Sequence, residues 1–123
     1  AMPLADTVTM LNLDMIGRSR GSVEIGGLDS ASAIRMDIDA AATSAGITVR
    51  PGGPGAGRSD DSSFLDHRIP ALHFFTGFHD DYHRPSDDWD RIDAAGTARV
   101  ATLVFEVAAR IAARQDRPPY GGP

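Results

Sequence analysis

The stretch Thr7-Val8-Thr9-Met10-Leu11-Asn12-Leu13-Asp14-Met15-Ile16-Gly17 decides the fold. It is nearly continuous in apolar residues and stops at a glycine, the pattern of a strand buried on both faces of a sheet that carries helices on either side. Asp14 then falls near the carboxyl end of that strand. A carboxylate closing an apolar strand must meet a cation, a metal or strong donors, because burying it unpaired is costly. An ion pair with Arg18, a turn cap and a metal each satisfy that requirement, and the pattern leaves them level.

Working outward, Ser22 to Gly26 reads as a short second strand. From Ser30 to Ala45, Ile34, Ile38, Ala41 and Ala45 keep helical spacing, with serines at the start and Gly46 in the position of a carboxyl-terminal cap. Ile47 to Arg50 reads as a third strand, and Pro51 to Gly57 as a loop. That loop lacks the Gly-Lys-Ser/Thr ending of a phosphate-cradling loop. Ser59 is placed to cap a short helix running to His67, and Ile69 to Phe75 forms a strand with proline near its start. Val100, Leu103, Val104, Val107, Ala108 and Ile111 draw one apolar stripe along a last helix, capped by Asp93 and stopped by Pro118-Pro119. Strands alternating with helices predict an α/β layered domain, whose binding sites collect beyond the carboxyl ends of the strands. Residues 1–116 read as one domain and 117–123 as a tail or linker.

Composition narrows the function. A chain of 123 residues with 41% hydrophobic residues holds one core. The net charge of -5 argues against a nucleic-acid partner, and Arg18-Ser19-Arg20 is too short a basic cluster to reverse it. No apolar run is long enough to span a bilayer, so no membrane partner is expected. The absence of cysteine removes disulfides, thiol catalysis and cysteine metal sites, so any metal has to sit on His, Asp or Glu. Ser59, Ser62 and Ser63 have aspartates close in sequence but no adjacent histidine base, which argues against a serine hydrolase. Ala1 in front of Met2 has the form of a tag remnant, which marks Met2 as an artificial or truncated start.

The polar chemistry concentrates in Phe74 to Asp90, FFTGFHDDYHRPSDDWD. His67 suits a helix end and His73 a packed sheet position, whereas His79 and His83 fall on a loop. His83 has the stronger case as a zinc ligand, with Asp80, Asp81, Asp87 and Asp88 as candidates to fix its tautomer through the second ring nitrogen. The competing reading is a capped turn whose aspartates face solvent.

Four motifs in order carry a resemblance: Met10 to Arg18 (MLNLDMIGR), Gly57 to Phe64 (GRSDDSSF), Ile69 to Gly77 (IPALHFFTG) and Asp81 to Asp88 (DYHRPSDD). Together they resemble the co-catalytic di-zinc aminopeptidase family, which includes secreted bacterial leucyl aminopeptidases and relatives of glutamate carboxypeptidase, the transferrin receptor and glutaminyl cyclase. The resemblance implies a three-layer α/β/α fold around a mixed sheet, of which this chain is the carboxyl-terminal half. It implies Asp14 as a ligand to one zinc, His83 as a ligand to the other, and Tyr82 as the donor to the oxyanion of the tetrahedral intermediate. In that family a metal-bound hydroxide attacks the peptide bond next to a free amino terminus. The remaining ligands and the glutamate base lie earlier in the family's domain.

The resemblance therefore predicts an enzyme fragment acting on peptides only in its intact parent, with zinc weak or absent in this chain alone and a secreted or periplasmic parent. A non-catalytic assembly module of the same fold is the alternative, and a single-zinc acyl-transfer relative is a weaker third. The chain departs from the family pattern at Asp61, where relatives carry histidine, and the departure bears on the activity of the whole domain. Half a domain also leaves sheet edges uncovered, so a homo-oligomer through an open edge is expected.

Overall fold

A computed structural model of the chain describes residues 2–52 and 59–122. Four strands form one sheet: β1 (Met10–Leu13), β2 (Ser22–Gly26), β3 (Thr48–Pro51) and β4 (Ala71–Phe75). Three helices accompany them: α1 (Arg35–Ala45), α2 (Asp61–Leu65) and α3 (Ala94–Ala112). The spatial order is β1-β4-β2-β3. β1 runs parallel to β4 and β2 parallel to β3, while β2 and β4 are antiparallel. The sheet is therefore mixed, as expected. The loop read at Pro51 to Gly57 lies mostly outside the described residues; Pro51 itself ends β3, and Gly52 N–H donates to the Ile25 carbonyl at 2.9 Å.

One face of the sheet carries the core. Val23 and Ile25 of β2 and Leu72 and Phe74 of β4 meet Ile38 and Ala41 of α1 and Val100, Leu103 and Val107 of α3, all fully buried. The period-two alternation of the strands and the 3.6-residue stripe of α3 are thus read against each other across this layer. The opposite face presents Asn12, His73 and Phe75, and α2 packs there against β4 and β1. Helices on both faces give the layered α/β arrangement that the alternating elements predict.

Several boundaries moved, each for a physical reason. β1 begins at Met10, not Thr7, because Leu4–Asp6 forms a 3-10 turn and the first ladder bond runs from Met10 N–H to the Pro70 carbonyl at 2.9 Å. Nor is it buried on both faces: β1 is an edge strand among the described residues, and Leu13 is 41% exposed. Ser30 does not start α1. Its buried hydroxyl donates to the Gly27 carbonyl at 2.7 Å and accepts from Ala71 N–H at 3.1 Å, satisfying the first amide of β4. Gly27 can serve that junction because it has φ +78°, and a Cβ there would stand 2.1 Å from the Ala71 carbonyl oxygen. A 3-10 turn, Ser32–Ile34, then leads into α1.

Gly46 closes α1 in the left-handed conformation, as its position predicts. Ser59 does not cap α2 with its side chain; its carbonyl accepts from Ser62 N–H at 3.1 Å, and its hydroxyl accepts from Asn12 instead. Asp93 is the cap of α3, its carboxylate accepting from Gly96 N–H at 2.9 Å. That bond, followed by the Ser19 hydroxyl, holds the Asp93 pKa below the ordinary carboxylate value. α3 ends at Ala112, well before Pro118, where its apolar stripe ends. The following chain turns back on the body: Arg114 pairs with Asp37 at 3.1 Å and Asp116 at 2.9 Å, and Gly121 N–H donates to the Ser30 carbonyl at 3.0 Å. Among the described residues no helix is long and apolar enough to cross a membrane.

Phe74 is the largest fully buried side chain and touches both halves of the core layer. Phe74→Ala is expected to cost about 3–5 kcal/mol by urea denaturation, enough to unfold much of a marginally stable chain.

Candidate active site

β1 and β4 are parallel neighbours in register Leu13 to Phe74, so the segments that leave their carboxyl ends start side by side. Asp14 is the first residue past β1. Its N–H donates to the Phe74 carbonyl at 3.1 Å, which extends the ladder by one residue. Its carboxylate is exposed, with no hydrogen bond or ion pair among the described residues. Met15 then takes a left-handed conformation at φ +50° and turns the chain into the 3-10 turn Ile16–Arg18.

Thr76, the first residue past β4, joins the two exits. Its hydroxyl donates to the Met15 carbonyl and accepts from Arg18 N–H at 3.3 Å. The loop beyond it folds as successive tight turns, with Tyr82 N–H donating to the His79 carbonyl at 3.0 Å and Arg84 N–H to the Asp81 carbonyl at 2.9 Å.

Arg18 fastens this loop. Its guanidinium donates to Asp81 at 3.2 Å and to Asp87 at 2.7 Å, while only 14% of its side chain is exposed. The Ser86 hydroxyl adds a bond to the other Asp81 oxygen at 2.8 Å. The Ser86 bond first, and Arg18 after it, hold the Asp81 pKa below the ordinary carboxylate value. Both sequence alternatives for Asp14 are thereby overturned: Arg18 is engaged elsewhere, and the Asp14 carboxylate caps no turn. The aspartates also take other roles than fixing His83. Asp81 and Asp87 bind Arg18, and Asp88 accepts from Trp89 N–H at 2.7 Å.

Tyr82 and His83 ride on the fastened loop. Their rings stack at 3.9 Å and 22°, and Tyr82 meets Phe78 edge-on at 5.0 Å. Phe78 in turn meets Phe75 of β4 at 5.2 Å, so the aromatic row is anchored in the sheet. His83 sits at φ +56°, a conformation that costs a non-glycine residue roughly 1 kcal/mol and that tends to mark functional positions. Both rings are exposed, and neither the Tyr82 hydroxyl nor the His83 nitrogens are hydrogen-bonded among the described residues.

The other histidines are occupied or enclosed. His67 bonds the Ser63 carbonyl at 2.8 Å, the helix-end role read from its position. His73 faces Asn12 at 2.9 Å, and Asn12 donates to Ser59 at 2.8 Å, a polar thread across the sheet face that sequence reading missed. His79 is 7% exposed, with one ring nitrogen 3.8 Å from Asp87 and the other buried without a partner among the described residues. Asp61 is fully buried in the first turn of α2, where a helix dipole favours negative charge, and neither of its oxygens has a partner among the described residues.

A carboxylate oxygen and a neutral imidazole are both good zinc donors, and Asp14 and His83 keep theirs unspent. They fit zinc as contributors to a site. Among the described residues no group of three or more His, Asp or Glu is close enough to hold a metal by itself. A cleft of about 360 Å³ opens between Met15, Trp89 and Ile92 on its apolar side and Arg18, His79 and Asp87 on its polar side, and Asp14 does not line it.

Arg18→Met is expected to release the loop, with amide protection of Tyr82, Arg84 and Asp87 falling about tenfold or more by hydrogen exchange while the core amides hold. Because the Asp81 pKa is depressed on folding, its pairing stabilises the loop above the ordinary aspartate value of 3.8 and is lost as pH falls through the lower folded value. Protection of the same amides should therefore fade in that acid window in the unmodified protein.

Among curated proteins no sequence matches this chain. Solved structures do. It is similar to the LapA aminopeptidase of Legionella pneumophila, at TM-score 0.75 and 16% identity over 89% of this chain and 32% of that one. It is similar to BSAP, a zinc aminopeptidase from Bacillus subtilis, at TM-score 0.70 and 20% identity over 95% of this chain and 32% of that one. An aminopeptidase from Aneurinibacillus sp. strain AM-1 matches at TM-score 0.64 and 27% identity, over 95% of this chain and 28% of that one. The chain thus shares their fold while spanning about a third of their length. Residues 1–108 match the family profile of peptidase family M28. With that match covering most of the sequence, the chain belongs to peptidase family M28.

Proposed function

We propose that this chain is part of the catalytic domain of a zinc-dependent aminopeptidase that cleaves amino-terminal peptide bonds. The observation that carries the reading is the pair of unspent donors, the Asp14 carboxylate and the His83 imidazole, leaving neighbouring parallel strands at one end of the sheet. Each would hold one coordination position of a different zinc. Zinc, when bound, supplies Lewis acidity toward the scissile carbonyl and makes water a stronger acid. Tyr82 donates its hydroxyl to the carbonyl oxygen as negative charge develops there, where a preoriented donor gives the most rate. Phe78 and His83 hold the tyrosine ring from its edge and its face.

A catalytic zinc takes about three protein ligands, and this chain gives one to each metal. It therefore binds zinc weakly and does not hydrolyse peptides by itself. Zinc titrated into the chain should shift NMR signals of the His83 ring and the Asp14 carboxyl, with Asp14→Asn and His83→Gln each removing one set. An aminoacyl p-nitroanilide should show no turnover above buffer. Shifts confined to His67, His73 and His79 sink the ligand assignment; steady turnover by the chain alone sinks the divided site.

A second reading is a non-catalytic assembly module of the same fold, which the open edge of β1 suits as it suits half of a catalytic domain. β1 pairs on one side only among the described residues, and Val8 and Leu13 beside its open edge are 38% and 41% exposed. Such an edge recruits the rest of a domain or a second copy. In sedimentation at micromolar concentration the chain is expected to self-associate, and a clean monomer rules this out.

A further inference from the structure

A second cleft, of about 380 Å³, opens at the other end of the sheet, beside Ile69 and Pro70 where the chain enters β4. Leu4, Ala5 and the prolines of the carboxyl-terminal segment give it an apolar wall, and His67, Arg68, Arg117 and Tyr120 face the same space. We propose that this cleft binds an oxyanion, phosphate or carboxylate, carried on a compact apolar body. The site is separate from Asp14 and His83 and independent of the zinc reading.

Its charge is the first observation. The chain has a net charge of -5, yet among the described residues no carboxylate lines this cleft. Asp6 and Asp66 are sequence neighbours of the lining residues and are not among them. Arg117 donates to the Ala5 carbonyl at 2.7 Å and to the Thr7 carbonyl, both neutral acceptors, so its position is fixed while it makes no ion pair among the described residues. Arg68 lies over the Tyr120 ring with its guanidinium carbon 5.2 Å from the centroid, and it makes no ion pair among the described residues. Arg114, a few residues from Arg117, shows the usual alternative: it is paired with two aspartates.

The backbone under Arg68 is the second observation. Arg68 N–H donates to the Leu65 carbonyl at 2.9 Å and Ile69 N–H to the Phe64 carbonyl at 3.0 Å, the two bonds of a Schellman motif ending α2. The residue between them must be left-handed, and Arg68 has φ +56°. Glycine fills this position at no steric cost, so an arginine here is strained, and what it contributes is its guanidinium. A planar guanidinium matches phosphate and carboxylate oxygens by paired hydrogen bonds. The aromatic and proline surfaces beside it accept an apolar body, and the volume suits a small ligand.

The test titrates the full chain with phenyl phosphate, phenylacetate and benzyl alcohol, followed by amide shifts in NMR at low salt. Saturable shifts centred on Arg68, Ile69, Arg117 and Tyr120 are expected with at least one of the two anions, and the stronger one identifies the oxyanion. Benzyl alcohol should leave them unmoved. Arg68→Gly and Arg68→Asn both tolerate the left-handed backbone, so each should keep the fold and the Tm while weakening anion binding tenfold or more. The proposal is overturned if neither anion shifts these amides, if benzyl alcohol binds as well as the anions, or if both folded Arg68 variants bind as the original does.

Discussion

The pairing of β1 with β4 is the constraint on which the rest of the molecule depends. It brings together segments about sixty residues apart, Asn12 facing His73 across a separation of 61 positions. Because the two strands are parallel, whatever follows each of them emerges at the same end. Asp14 follows one, and the loop with Tyr82 and His83 follows the other. Thr76 then locks the two exits with a single hydroxyl, donating on one side and accepting on the other. A residue that uses both capacities of its hydroxyl in a partly buried place leaves the exits little freedom to separate.

The same sheet divides its labour by face. One face is dry and carries α1 and α3 over Phe74, Ile25 and Leu72. The other carries a polar thread, Ser59 to Asn12 to His73, and an aromatic row from Phe75 through Phe78 to Tyr82. The dry layer thus supports the polar one: β4 places Phe74 in the core and Phe75 in the aromatic row in adjacent positions. A strand alternating its side chains is the simplest device for coupling a core to a site.

Charge is handled locally. Arg18 takes two aspartates from a loop rich in acids, which both removes repulsion and leaves Asp14 and His83 unspent. At the opposite end Arg117 and Arg68 bind carbonyls and a ring, and among the described residues no acid lines their cleft.

Much of this was legible in the residues. The stripe of α3, the Asp93 cap, the Gly46 stop and the strands at Ser22 and Ala71 follow from spacing and from what each side chain can do to its own backbone. Asp14, Tyr82 and His83 stand out in the sequence only through the motifs that carry the resemblance, and the parallel pairing of β1 with β4 makes the segments that follow those strands leave the sheet at one end. The partners were not legible. Nothing in the spacing says that Arg18 passes over Asp14 to reach Asp81 and Asp87, or that Ser30 serves β4 instead of α1. Local rules report on bonds within a few residues, and these interactions join positions tens of residues apart. The sequence by itself determined which elements form, because propensity, capping and periodicity are local. Only the tertiary structure decided which polar side chains are spent and which are free, because that depends on which distant donor or acceptor each one meets.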